Sequence, residues 1–120
     1  LFINNLEKNK RYLVTCEGAF SYLTNDYGLK EAYLWPVNAE SQITPKRMVR
    51  TISLVKNKNI PSVFCESTVS NESQMVVASE TGANFGGDLF VDSLSQDNGS
   101  ANTYLKMLQH NLTLIKEGLK

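Results

Sequence analysis

The sequence predicts an α/β fold: a four-stranded parallel sheet, order 2-1-3-4, flanked by helices on both faces. Three observations carry this. Four short apolar runs, at Tyr12 to Cys16, Ala32 to Trp35, Ser62 to Cys65 and Asp88 to Val91, alternate with stretches of helical apolar spacing. The loops between them are short, and strand-helix-strand units with short loops imply right-handed crossovers in one parallel sheet. Three of the runs are followed at once, or ended, by a carboxylate: Glu17, Glu66 and Asp92.

The elements follow in order. Tyr12 to Cys16 is apolar and β-rich. A short helix is expected from Gly18 to Asp26, facing Ala19, Phe20 and Leu23 inward and closed by Gly28. Ala32 to Trp35 is stopped by Pro36, and the polar stretch from Val37 to Thr44 reads as a loop. Thr44-Pro45 marks the next helix start, with Thr as cap and Pro in the first helical position. Met48, Ile52 and Val55 recur along it, and Lys56 and Lys58 suit its C-terminus. After Ser62 to Cys65, Asn71 and Gln74 resemble a capping box for a helix reaching about Thr81, with Gly82 beyond. Gly86-Gly87 introduces the fourth strand. Ser95 to Ser100 reads as a loop. The last helix is expected to bury Leu105, Leu108, Leu112, Ile115 and Leu119 as one stripe.

Bulk composition excludes several classes. The 120 residues suit one domain, residues 1–120, with 12 basic and 12 acidic residues and zero net charge. That balance leaves no footprint for nucleic acid or an anionic membrane. No apolar run approaches the ~20 residues that span a bilayer. No signal peptide is read at the start. The chain opens at Leu1-Phe2-Ile3 without Met, as a piece of something longer would. Cys16 and Cys65 each end an expected strand, where a disulfide is possible but two buried free thiols are the expected reading.

The acids carry the functional signal. In an open parallel sheet, ligands bind beyond the carboxyl ends of the strands, at the point where strand order reverses. Glu17 and Glu66 flank that crevice, and Asp92 is one strand further along. The turn Cys16-Glu17-Gly18 lacks the glycine loop that cradles phosphate, and a carboxylate there repels one. Neighbouring acids repel each other unless a cation sits between them. Taken singly, Glu17 also suits a helix N-terminus, Asp92 a turn, and Glu66 a hydrogen-bonding role that supports its neighbours. Tyr104 starts the last helix within reach of the crevice. His110, the only histidine, lies on that helix away from the strand ends and reads as packing. The Asn-x-Ser/Thr triplets at Asn71, Asn98 and Asn111 are of a length expected by chance. No nucleophile-base pair and no phosphate-binding lysine motif is present. A flavodoxin-like or Rossmann-type nucleotide-binding domain is the alternative on fold alone.

The segments LVTCEGAFSYLTNDYGLKEAYLWPVNAESQITP, IPSVFCESTVS, LFVDSLS and TYLKMLQHNLTLIKEGL together resemble the metal-binding proteins of bacterial manganese, iron and zinc ABC importers. That family was once grouped with streptococcal adhesins. The resemblance implies the C-terminal lobe of a two-lobed, non-catalytic receptor, periplasmic or lipid-anchored outside the membrane, that hands its metal to a cognate ABC permease. It implies a cleft ion held by two histidines from an N-terminal lobe absent here, by Glu17 from the EGAF motif and by Asp92 from the DS motif. Glu66 and Tyr104 would support them. The zinc branch usually carries His where Glu17 stands. A mixed imidazole-carboxylate set suits Mn²⁺ or Fe²⁺, although affinity still rises toward Zn²⁺. Cys16 departs from the family's usual Ser. Half a coordination shell implies weak or no metal binding by this piece alone.

Overall fold

A computed structural model describes residues 11–18, 20, 24, 25, 27–35, 44–90 and 104–119, without the side chain of Tyr104. Strand β1 (Tyr12–Thr15) pairs in parallel with β2 (Lys30–Tyr33), and β3 (Ser62–Glu66) pairs in parallel with β4 (Asn84–Leu89). Helices α1 (Pro45–Asn57), α2 (Glu72–Thr81) and α3 (Tyr104–Gly118) complete the described elements. The first expected helix, from Gly18 to Asp26, lies largely outside them.

Side chains alternate across the strands and feed two cores, which confirms an α/β sheet covered on both faces. Val14 and Cys16 of the first strand segment join Val63, Cys65, Leu34 and Trp35 on one side, against Val55 of α1 and Val77 of α2. Leu13 and Phe64 point the other way, to Phe20, Leu29, Ile115 of α3 and Leu119 just beyond that helix. Each buried side chain of this size stabilises by roughly 1.5–3 kcal/mol.

Among the described residues no ladder joins β1 to β3, so strand pairing supports 2-1 and 3-4 but leaves the middle of the expected order to side chains. Cys16 and Cys65 form a disulfide across that seam, with Cα atoms 4.8 Å apart. This overturns the expectation of two buried free thiols: the neighbouring strand ends bring the sulfurs close enough to bond.

Other expectations shift for identifiable reasons. Strand β2 starts and ends two residues early, because the Leu34 and Trp35 N–H groups both turn to the Cys16 carbonyl, at 3.1 and 3.0 Å. Strand β4 contains the glycines it was expected to follow. The register skips Gly86 between Phe85 and Gly87, a bulge opposite Phe64. A Cβ at Gly86 would collide with the Phe64 ring, so glycine here makes room for a core aromatic.

Thr44 caps α1 as expected, its Oγ1 accepting from Arg47 N at 3.2 Å. Lys46 and Arg47 stand in its first turn, which has no acid. Cations there oppose the helix dipole, at about 0.3–1 kcal/mol each. The capping box on α2 does not form. Asn71 makes no side-chain cap, and Gln74 instead donates its Nε2 to the Phe64 carbonyl at 2.6 Å. On α3 and just beyond it the buried row is Met107, Asn111, Ile115 and Leu119, while Leu105 is 64% exposed. Asn111 sets this rotation. Its Oδ1 accepts from Phe90 N at 2.9 Å and its Nδ2 donates to Phe90 O at 2.8 Å.

Candidate metal centre

Glu17 leaves β1 at the carboxyl rim and is 8% exposed. Its turn is held from every side. Glu66, fully buried, ends β3 next door. Its Oε1 accepts from Cys16 N at 3.1 Å and from Glu17 N at 3.0 Å, and its Oε2 accepts from Glu17 N at 3.1 Å. The Cys16 carbonyl is taken by Leu34 and Trp35, and its sulfur by Cys65. Gly18 N donates to Thr15 Oγ1 at 3.3 Å. Strand ends set side by side therefore turn Glu66 from a rival anion into a clamp. Backbone N–H groups of Cys16 and Glu17 carry its charge.

Gly18 closes the turn with φ +68°. A Cβ there would lie 2.7 Å from the Tyr33 ring, whose other neighbour is the Arg47 guanidinium, 5.1 Å from the ring centroid. Gly18→Ala is expected to cost about 2–4 kcal/mol, from left-handed strain plus overpacking. Urea unfolding measures this, and an unshifted midpoint would show that Tyr33 yields freely.

Cys16, Cys65 and Glu66 place their sulfurs and carboxylate within 4.8 Å of one another. The sulfurs are bonded to each other and the carboxylate accepts backbone N–H groups, so this trio lacks the thiolates a soft cation needs. Among the sequence-derived candidates, the structure brings Glu17 and Glu66 together. Asp92 and the Tyr104 side chain lie outside the described residues. The approach to Asp92 is fixed as far as Phe90, gripped by Asn111. His110 packs on the Phe90 ring at 4.9 Å and lies 3.4 Å from the Asp88 carbonyl, a packing role as expected.

Sequence reasoning overlooked Asn111, whose signal was a polar residue four from Met107 and four from Ile115. It also overlooked Glu31, which accepts from Phe20 N at 3.1 Å. Burial raises the Glu31 pKa above its ordinary value, and the Phe20 N–H partly restores it. The folded state thus binds this proton more tightly than the unfolded state does. The stability it contributes is present below the ordinary carboxylate pKa and is lost as pH rises through the raised value. Glu31→Gln should therefore gain stability relative to wild type on going from about pH 4 to about pH 7. Urea midpoints at both values check the sign.

Solved periplasmic metal-binding proteins share this fold. The Mn-bound periplasmic metal binding protein of Candidatus Liberibacter asiaticus superposes with a TM-score of 0.89 at 42% identity, covering 98% of this chain and 43% of that one. The periplasmic zinc binding protein TroA of Treponema pallidum gives 0.87 at 25% identity, covering 98% and 44%. Residues 2–118 match the family of ZnuA, zinc-uptake complex component A, periplasmic, and the chain belongs to that family. The iron-binding protein YfeA of Yersinia pestis is 45% identical over 116 residues, which are 97% of this chain and 37% of that protein. The manganese ABC transporter substrate-binding lipoprotein PsaA of Streptococcus mitis is 33% identical, over 97% and 38%. The chain thus spans little more than a third of the length of these relatives. No nucleotide-binding relative supports the flavodoxin-like alternative among these proteins.

Proposed function

We propose that this chain is the C-terminal lobe of an extracytoplasmic receptor for a divalent-metal ABC importer. It captures Mn²⁺, Fe²⁺ or Zn²⁺ against a second lobe and delivers the ion to the membrane permease, without catalysis. The observation that carries this reading is the Glu17 turn, locked by Glu66 at the carboxyl rim in a chain of the ZnuA family. Glu17 and Asp92 are the two oxygen ligands from this lobe. Two histidines from the N-terminal lobe complete the set, with Glu66 and Tyr104 in supporting roles. Carboxylate-rich donors favour Mn²⁺ and Fe²⁺ by hardness, while Zn²⁺ binds well when offered in vitro. A lipid anchor or a free periplasmic state both place the receptor outside the membrane.

Metal titration of the full-length protein tests the assignment. Glu17→Ala and Asp92→Ala should each weaken affinity by more than about a hundredfold, beyond the roughly 10–100-fold that loss of a supporting contact gives. Unchanged stoichiometry and affinity in both variants would remove these residues as ligands.

A further inference from the structure

The zero net charge of the chain hides a local imbalance. Residues 45–58 hold five of the twelve basic residues and no acid. Lys46, Val49, Arg50, Ser53 and Lys56 stand three, four, seven and ten residues along α1 from Lys46, and all five are exposed. They form one outward stripe. No carboxylate on the helix offsets these cations at i, i+4 spacing, and Lys46 stands at the wrong end of the dipole. Among the described residues no ion pair is seen to Lys46 or Lys56, while Arg50 shares a pocket with Glu31. The stripe opposes helix formation. Val49, in its midst, is 63% exposed. Beside it runs a groove of about 420 Å³ between the N-terminal halves of α1 and α2, lined by Thr44, Pro45, Met48, Ser73 and Val76 and by one acid, Glu72. Met75 and Val76 are each 47% exposed. Helix α2 begins six residues after Glu66, so the groove opens on the same edge of the molecule as the Glu17 turn.

We infer that this surface docks a protein: an exposed loop of the membrane transporter that carries carboxylates around one apolar side chain. The inference rests on the receptor reading above. Charge complementarity identifies the acidic partner, and it speeds and orients encounter. The groove distinguishes a protein from an anionic bilayer. An apolar socket for one side chain with charges around it is interface anatomy, whereas lipid headgroups read basic charge alone. Docking on the metal-bearing edge sets the receptor's rim toward the permease.

The test uses full-length, metal-loaded protein and its transporter in nanodiscs of neutral lipid. Lys46→Glu with Arg50→Glu reverses the stripe and leaves Arg47 on Tyr33. Val76→Glu separately spoils the groove. Each variant should dock about tenfold more weakly or worse. Added salt should weaken wild-type docking and leave the double variant nearly unmoved. Metal affinity, read in the same samples, should hold. Unchanged docking in both variants overturns the surface. So does wild-type capture by phosphatidylglycerol vesicles that the double variant loses while transporter docking persists, since the stripe then meets lipid. A parallel fall in metal affinity also overturns it, because the remainder of the chain then covers this face. A wild-type protein that binds no divalent metal overturns the receptor reading and the docking with it. One that binds metal yet docks no better than the variants overturns the surface alone.

Discussion

Replacing Glu66 with alanine is expected to cost about 3–5 kcal/mol of folding stability. The carboxylate is the acceptor for two buried N–H groups, and each donor left without one costs about 1–3 kcal/mol, with a cavity term added. A domain of this size has only about 5–15 kcal/mol to lose. Glu66→Gln is the sharper probe. It keeps the volume and one acceptor oxygen but aims an NH₂ group at a backbone donor. A loss of about 1–2 kcal/mol in urea unfolding is expected, with a folded product. In the full-length protein the same change should weaken metal binding about tenfold, because the turn presenting Glu17 is less well held. If the glutamine variant matches wild type in both measurements, the clamp is not what positions Glu17.

Breaking the Cys16–Cys65 bond should have a comparable effect for a different reason. The link joins residues 49 apart, and loop-closure entropy for that separation gives roughly 4 kcal/mol, acting on the unfolded chain. Cys16→Ala with Cys65→Ala is the appropriate variant, since both positions are fully buried among Val14, Val63 and Leu34. The urea midpoint should fall and the slope of the transition should rise, because the unlinked chain exposes more surface on unfolding. Reductant added to wild type should reproduce the shift. Coincident transitions for variant and wild type would show that the cross-link contributes nothing. Glu66 and the disulfide hold the same turn, so their losses are expected to be non-additive.

The sequence carried the alternation of strands and helices, the Thr44-Pro45 helix start and the strand-end position of Glu17 and Glu66. Each of these depends on local chemistry: side-chain period, a cap hydroxyl, a missing proline N–H. The departures all come from contacts between distant segments. Strand β2 ends early because a carbonyl at Cys16 recruits two amides. Gly86 sits inside a strand because an aromatic ring from the neighbouring strand lies against it. Gln74 abandons its own helix end for the Phe64 carbonyl. The α3 face keeps Ile115 and, just beyond the helix, Leu119 buried and Leu112 partly packed, as expected, but turns Leu105 outward as Asn111 faces Phe90. For the site, the sequence already favoured a supporting, hydrogen-bonding role for Glu66 over a ligand role. Which groups it accepts from, the Cys16 and Glu17 amides, depended on the side-by-side strand ends and was not legible.

Asn111 has a consequence for covalent modification. Asn111-Leu112-Thr113 spells an acceptor sequon for N-linked sugar. In the folded chain both polar atoms of that amide are spent on the backbone N–H and C=O of Phe90, and the residue is 2% exposed. An oligosaccharyltransferase would have to unfasten α3 from the strand leading toward Asp92 before it could reach the nitrogen. Glycan attached at residue 111 would therefore report that the chain was modified before it finished folding.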